Sequence, residues 1–136
     1  MPKNKLKLMV VDDEPDNLDL LYRTFRREFR VFRAESPTAA LELLETEGEM
    51  AIVISDQSMP EMTGIEFLRK TVAPFPATIR ILLSGYSAEM LDPSGETLKA
   101  ADIFACITKP WDPAVFEETI AKAKATYQQR QAEENS

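Results

Sequence analysis

The chain has 136 residues and no histidine, and its 16 basic and 23 acidic residues give a formal net charge of −7. The absence of histidine excludes histidine-dependent catalytic triads and the usual histidine-containing zinc sites, and the acidic balance disfavours nucleic acid or an anionic membrane as a partner. The single cysteine permits no internal disulfide, and no apolar run is long enough to span a membrane or to serve as a signal-peptide core. Length and composition therefore predict one small domain located in the cytoplasm.

Five short apolar runs along the chain are predicted to be strands. Three of them are nearly continuous in valine, isoleucine and leucine, which is typical of strands buried on both faces of a parallel sheet. In chain order, the runs are Leu6–Val11, Arg30–Ala34, Ala51–Ser55, Ile79–Ser84 and Ile103–Thr108.

Segments with helical periodicity follow these runs. The second and fifth segments begin with a capping residue and a proline, at Ser36-Pro37 and Asp112-Pro113, and the third begins near Thr63. The fourth lies within 87–101, where the sequence DPSG interrupts it. Two apolar stripes are expected to face the core, one of Leu18, Leu21, Tyr22, Phe25 and Phe29, the other of Val115, Phe116, Ile120 and Ala123.

Strand and helix alternate five times, and right-handed crossovers then give a doubly wound five-stranded parallel sheet with five helices. We expect this α/β domain to cover residues 1–127. The remaining residues, 128–136, are polar and lack an apolar anchor, so they are predicted to form a disordered tail.

Ligand sites in such sheets lie beyond the carboxyl ends of the strands. Four of the five predicted strands deliver a polar or charged side chain to that edge, namely Asp12 and Asp13, Asp56, Ser84 and Lys109. Three neighbouring carboxylates repel one another, and a hard divalent cation such as Mg²⁺ relieves that repulsion. With the lysine and the hydroxyl added, the set is suited to holding a phosphoryl group on a carboxylate.

Each of these motifs alone is also ordinary turn or helix-start chemistry. Acidic residues after a strand meet the positive end of a helix dipole, and Ser-Gly and Lys-Pro pairs are common in loops. Their occurrence together at one sheet edge favours a functional site over four unrelated turns.

The chain resembles the receiver domain of bacterial two-component response regulators, in particular single-domain chemotaxis-type regulators. The resemblance extends from about Leu6 to Ala125 and is carried by four motifs: VVDDEP at 10–15, SDQSMPEMTGIEFL at 55–68, LLSGYS at 82–87 and ITKPW at 107–111. It implies the flavodoxin-like receiver fold.

The resemblance also assigns roles to residues near the predicted metal. Asp56 corresponds to the phosphoacceptor, and Asp12 and Asp13 to the acidic pair that binds Mg²⁺, with Asp13 the more direct ligand. Ser58 is expected to offer its backbone carbonyl to the metal. Gly64 is expected to give backbone room near the acceptor.

Two further positions correspond to the residues that respond to phosphorylation in this family. Ser84 resembles the hydroxyl that turns toward the phosphoryl group, and Lys109 the lysine that pairs with it. Lys109-Pro110 is expected to be a cis peptide. Cys106 stands where an aromatic side chain is common, so Tyr86 or Phe104 would have to replace it in a response.

The segment between Ser84 and Lys109 is a few residues longer than is usual, which suggests a displaced or partly unwound fourth helix. Trp111 replaces a common phenylalanine near the output face. Either partner binding or cover for the core would suit that tryptophan.

The resemblance implies a phosphorylation-activated switch rather than an enzyme. A histidine kinase or phosphotransfer protein would be the donor, and an effector protein would bind the face formed by the fourth helix, fifth strand and fifth helix of a monomer or weak dimer. One alternative is a Mg²⁺-dependent phosphohydrolase with an aspartyl nucleophile, but it needs a second aspartate where Ser58 stands. Another is a phosphorylation-independent interaction module, which the complete set of site residues disfavours.

Overall fold

Five strands form one parallel sheet in the computed structural model, which describes residues 5–134. Their spatial order is β2-β1-β3-β4-β5, so the chain crosses over after the second strand and the sheet is wound on both faces. The predicted strands are confirmed to within one residue at either end. They are β1 (Lys7–Val11), β2 (Arg30–Ala34), β3 (Ile52–Asp56), β4 (Ile79–Ser84) and β5 (Ile103–Thr108).

Helices connect successive strands and cover both faces of the sheet. Their bounds are α1 (Pro15–Phe25), α2 (Pro37–Glu47), α3 (Gly64–Lys70), α4 (Ala88–Leu91), α5 (Glu96–Ala100) and α6 (Pro113–Glu134). Among the described residues, no helix is both long enough and apolar enough to cross a lipid bilayer.

Alternate strand side chains point to opposite faces and build two separate apolar layers. Leu8 and Val10 belong to the layer under α1 and α6, whereas Met9 and Val11 belong to the layer under α2 and α3. The central strands are buried from end to end, which explains their nearly continuous apolar sequence.

Local capping signals set the predicted helix starts. The Ser36 hydroxyl accepts a hydrogen bond of 3.0 Å from the Ala39 amide, and the Asp112 carboxylate accepts one of 2.8 Å from the Ala114 amide. Thr63 and Glu66 form a reciprocal capping box at the start of α3. The capping residues expected before the second and fifth helices, and the expected start of the third near Thr63, are thus confirmed.

The segment predicted as the fourth helix forms two short helices, α4 and α5. Asp92 and Gly95 separate α4 from α5, and Gly95 adopts a positive φ of 79°. The Asp92 carboxylate accepts hydrogen bonds from the Ser94 hydroxyl and the Leu98 amide, which satisfy polar groups at this break. The DPSG signal therefore interrupts the helix as expected.

The predicted disordered tail is wrong for residues 128–134, which continue α6. Arg130 anchors this end, with its guanidinium 3.5 Å from Asp102 and 3.4 Å from the Thr78 carbonyl oxygen. Asp102 also pairs at 3.0 Å with Arg80, whose side chain is fully buried in β4. The anchor is polar and long-range, so an apolar pattern could not reveal it. Residues 135 and 136 lie outside the described part.

Two details of the predicted apolar stripes differ from the structure. Val115 is 52% exposed on α6, whereas Phe116, Ile120 and Ala123 are buried as expected. Phe29 is buried but lies beyond the end of α1, in the turn that leads to β2. Phe29 keeps the spacing of α1, but the helix has already ended at Phe25. Val115 precedes Phe116 directly in α6, and of these two consecutive residues only Phe116 faces the core.

Candidate functional site

The predicted site residues meet at the carboxyl edge of the sheet. Asp12 follows β1 directly, Asp56 ends β3 and Ser84 ends β4. Strand register places Ser84 beside Thr108 of β5, so Lys109 follows at the same level. Parallel pairing therefore gathers groups that are distant in sequence.

Three carboxylates at this edge form a compact group, called here the acidic triad: Asp12, Asp13 and Asp56. Each can offer one oxygen so that all three oxygens lie within 4.8 Å of one another. Asp12 and Asp56 are buried, while Asp13 is exposed. Such a set of hard oxygen donors, partly open to water, can hold a divalent cation.

Asp12 is held rigidly within the triad. Its carboxylate accepts hydrogen bonds from the Glu14 amide at 2.9 Å and from the Asn17 side-chain amide at 3.2 Å. Burial raises the pKa of Asp12, and the nearby charge of Asp56 raises it further, more than these hydrogen bonds lower it. Asn17 has no role in the sequence prediction, because a single asparagine on a helix gives no recognisable signal.

Lys109 forms an ion pair with the Asp56 carboxylate. Burial acts to lower the pKa of Lys109, but the hydrogen bond to Asp56 and the charges of Asp56, Asp12 and Glu14 outweigh it, so this pKa lies above its ordinary value. The lysine therefore stays protonated beside the carboxylate that it contacts. The Lys109-Pro110 peptide is cis, as expected.

Ser84 is buried at the end of β4, and its hydroxyl oxygen accepts a hydrogen bond of 3.0 Å from the Tyr86 amide. The Ser84 carbonyl in turn accepts a hydrogen bond of 2.8 Å from the Lys109 amide. The two loops that carry Ser84 and Lys109 are thus directly joined through their backbones.

The loop after β3 is closed by backbone and side-chain contacts near Asp56. Gln57 accepts hydrogen bonds from the Gly64 amide, through its carbonyl at 3.0 Å, and from the Ile65 amide, through its side chain at 2.9 Å. A Cβ atom on Gly64 would overlap the Asp56 carbonyl oxygen, so the predicted need for backbone room is confirmed. Ser58 lies in this loop and is exposed. Gln57 was not predicted, because its role depends on the loop geometry.

Beside the site, Trp111 covers the rim of the core, one of the two roles that the sequence left open. Its ring packs edge-on against Phe116 with centroids 5.2 Å apart, which covers the rim of the core. It also lines an open groove of about 520 Å³ together with Leu20, Lys109 and Pro110.

Comparison with known proteins agrees with this arrangement. The family model of the response regulator receiver domain matches residues 8–121. The hydrogenase transcriptional regulatory protein HoxA of Cupriavidus necator is 35% identical over 123 residues, a match that covers 90% of this chain and 25% of that protein. The chain thus spans about a quarter of that relative. The chemotaxis protein CheY homolog of Campylobacter jejuni is 29% identical over 127 residues, covering 89% of this chain and 94% of its own.

Solved structures show the same fold. A response regulator receiver domain protein from Clostridium thermocellum superposes with a TM-score of 0.79 and 25% identity, covering 91% of this chain and 98% of that one. The CheY-like receiver domain protein from Methanospirillum hungatei gives a TM-score of 0.82 at 23% identity, covering 94% and 99%. Members of this family are generally signalling modules rather than enzymes. The chain belongs to the response regulator receiver domain family, whose members are activated by phosphorylation in two-component signalling.

Proposed function

We propose that Asp56 accepts a phosphoryl group from a histidine kinase or phosphotransfer protein. The observation that supports this role most is the placement of the buried Asp56 carboxylate, within the acidic triad and in contact with the Lys109 ammonium group. In the transfer, an Asp56 oxygen bonds to phosphorus while the phosphorus–nitrogen bond of the donor imidazole breaks. The electron pair of that bond returns to the imidazole.

The donor set of the acidic triad fits Mg²⁺, which takes oxygen ligands and keeps several waters. Asp13 and Asp56 would hold the ion directly, with the Ser58 carbonyl, while Asp12 would complete the acidic surroundings. When bound, the ion supplies positive charge that offsets the charge of the carboxylates and of the transferring group.

Lys109 and Ser84 would respond to the new charge on Asp56. Lys109, protonated beside Asp56, neutralises part of the phosphoryl charge, and the Ser84 hydroxyl donates a hydrogen bond to a phosphoryl oxygen. These interactions draw the Lys109 and Ser84 side chains toward Asp56 and shift the loops that carry them. Because the backbones of these two loops are hydrogen-bonded to each other, the shift biases the protein toward an active conformation.

An effector protein would bind the face formed by α4, α5, β5 and α6, which corresponds to the predicted face of fourth helix, fifth strand and fifth helix. Large apolar side chains are exposed on these elements and on the loop before α4: Met90 is 67% exposed, Tyr86 58% and Phe104 37%. Exposed apolar groups of this size are suited to partner binding.

The acceptor assignment is tested with a small phosphodonor. Incubation with acetyl phosphate and Mg²⁺ should add one phosphoryl group to the protein, measured by intact mass. Asp56→Asn should abolish the addition while keeping the fold, because the two side chains have nearly the same shape. Asp16→Asn, an equal charge change at an exposed position on α1, should be labelled normally. Full labelling of Asp56→Asn would refute the assignment.

A further inference from the structure

A second charged region lies at the end of the sheet opposite the acidic triad, beside the first residues of β1 and β2. An open groove of about 740 Å³, called here the basic groove, occupies this position. Tyr22 and Val31, both half-buried, contribute apolar surface to its lining, whereas the lining residue Phe29 is fully buried. Its charged lining residues are all basic: Lys5, Lys7, Arg26 and Arg30.

The positive charge of the basic groove has few acidic partners in the protein. Within residues 5–134, no carboxylate forms an ion pair with Lys5, Lys7 or Arg26, and Arg30 approaches Glu47 only at 3.9 Å. This local excess stands out in a chain of net charge −7. It leaves the groove able to attract an acidic partner.

The dipole of α1 accounts for part of this charge but not for all of it. Arg26 follows the carboxyl end of α1, where a cation is stabilised by the helix dipole. Lys7 and Arg30 begin strands instead. Both side chains approach the Phe32 ring, with Lys7 5.9 Å and Arg30 5.1 Å from its centroid. Neither has a carboxylate partner closer than the 3.9 Å between Arg30 and Glu47 within residues 5–134.

The backbone around the groove does not suit a phosphate held by main-chain N–H groups, so an anion would have to be bound by the basic side chains. The Lys5 amine donates to the Arg26 carbonyl at 2.9 Å, and the Lys7 amine donates to the Glu47 carbonyl at 2.5 Å. These carbonyls lie at the carboxyl ends of α1 and α2, where the helix dipoles are negative. A buried phosphate is better suited to a helix amino end with its free N–H groups.

We propose that the basic groove binds an acidic segment of a partner protein. Carboxylates of that segment would pair with the basic side chains, and an apolar side chain between them would pack on Tyr22 and Val31. The groove lies at the opposite end of the strands from Asp56. Binding there therefore leaves the proposed phosphoacceptor accessible, and the inference does not depend on the proposed function.

A short synthetic peptide of glutamates around a central phenylalanine provides the probe. Added to the full chain, it should shift the backbone amide NMR signals of residues 22–31 and 5–7, and the affinity should fall as salt is raised. Arg26→Glu combined with Arg30→Glu should weaken binding by about tenfold or more. The combined variant Arg26→Gln and Arg30→Gln should weaken peptide binding less. Because it removes charge without reversing it, it provides a variant that is less prone to misfold.

Arg69→Glu combined with Lys70→Glu is the matched control, because these exposed basic residues lie on α3, away from the basic groove. This control should bind the peptide with the affinity of the unmodified protein, whereas a glutamine version of the peptide should not bind. Equal weakening in control and groove variants would overturn the proposal. So would groove binding by inorganic phosphate or duplex DNA without peptide binding, or self-association through the groove, measured by sedimentation, without peptide binding.

Discussion

Asp12 and Asp13 are adjacent in sequence but occupy different surroundings. Asp12 is buried and its two oxygens accept hydrogen bonds from Glu14 and Asn17, whereas Asp13 is exposed. The carboxylate of Asp13 is therefore the one best placed to exchange water for a metal ion. The raised pKa of Asp12 reflects the cost of keeping a buried charge close to Asp56.

This difference predicts the effect of Asp13→Ala. Loss of a direct ligand should weaken Mg²⁺ binding by at least about tenfold, the lower end of what losing a supporting residue of a metal site costs. Calorimetric titration measures the affinity, and labelling by acetyl phosphate should fall with it. Asp16→Ala removes an exposed carboxylate from α1 and should leave both unchanged. Normal Mg²⁺ affinity in Asp13→Ala would show that the ligand set is wrong.

Gly64 is the most sterically constrained residue at the site. In Gly64→Ala, the added methyl group would overlap the Asp56 carbonyl oxygen and press on Leu82. We expect this variant to lose about 1–3 kcal/mol of unfolding free energy, as overpacked sites do, and to be phosphorylated more slowly. Gly85→Ala is the control, since its methyl group meets no atom within 4 Å. Urea unfolding measures the stability of the two variants. If Gly64→Ala were as stable as Gly85→Ala, the steric account would be contradicted.

Among the structural elements, strands and helix starts were predictable because their signals are local. Ser36, Thr63 and Asp112 cap helices with their own side chains, and the central strands are apolar because both of their faces are buried. The end of α6 was not predictable. Arg130 there contacts groups remote in sequence, and no periodic pattern records such polar contacts.

The carboxyl half of α6 also carries Tyr127, whose hydroxyl donates a hydrogen bond of 2.7 Å to Glu49. Burial, then this bond and the charge of Glu49, raise the pKa of Tyr127 above its ordinary value of 10.0. An unfolded tyrosine ionises at a lower pH than the folded one. The stabilisation is therefore complete below pH 10 and is lost as the pH rises above it.

Tyr127→Phe tests this contribution. Below pH 10 the variant should be less stable by about 1–2 kcal/mol, because the hydroxyl donates a hydrogen bond to Glu49 and accepts one from Gln131. The difference from the unmodified protein should narrow at higher pH, because the variant has no hydroxyl to ionise. Urea unfolding across this range provides the measurement, with Tyr86→Phe as a control that leaves the bond to Glu49 intact. A constant difference would contradict the assignment.

At the scale of the whole molecule, the location of the proposed site was predictable, whereas its supporting contacts were not. The carboxyl ends of parallel strands meet at one edge, so Asp12, Asp56, Ser84 and Lys109 could be placed together from chain order alone. Asn17 reaches Asp12 from α1, and Gln57 accepts hydrogen bonds from Gly64 and Ile65 across the loop after β3. Such contacts depend on three-dimensional packing that sequence spacing does not specify.

The loops after β4 and β5 are hydrogen-bonded to each other, so we expect a change at Asp56 to alter the conformation of both loops. Beryllium fluoride with Mg²⁺ should change the emission of Trp111, the only tryptophan in the chain. Amide hydrogen exchange should change most in 84–96 and 106–111, and little in 39–47 of α2. Cys106 offers no aromatic ring to turn inward, so we expect the response to occur mainly through backbone movement in 84–96.

Lys109→Ala should still bind the fluoride complex but lose these distant changes, because the charge that draws the loop toward Asp56 is gone. Asp56→Asn should show no change anywhere. Protection confined to the acidic triad in the unmodified protein would contradict a switch and indicate a passive store of phosphoryl groups.

The opposite placement of the acidic triad and the basic groove adds a component along the strands to the molecule's electric dipole moment. A dipole of this kind turns in the field of an approaching protein before any atoms touch. A positively charged partner would thus meet the Asp56 end first, and a negatively charged partner would meet the other end first. The charge distribution would thus orient positively and negatively charged partners differently before contact. This orienting effect would weaken as the ionic strength rises.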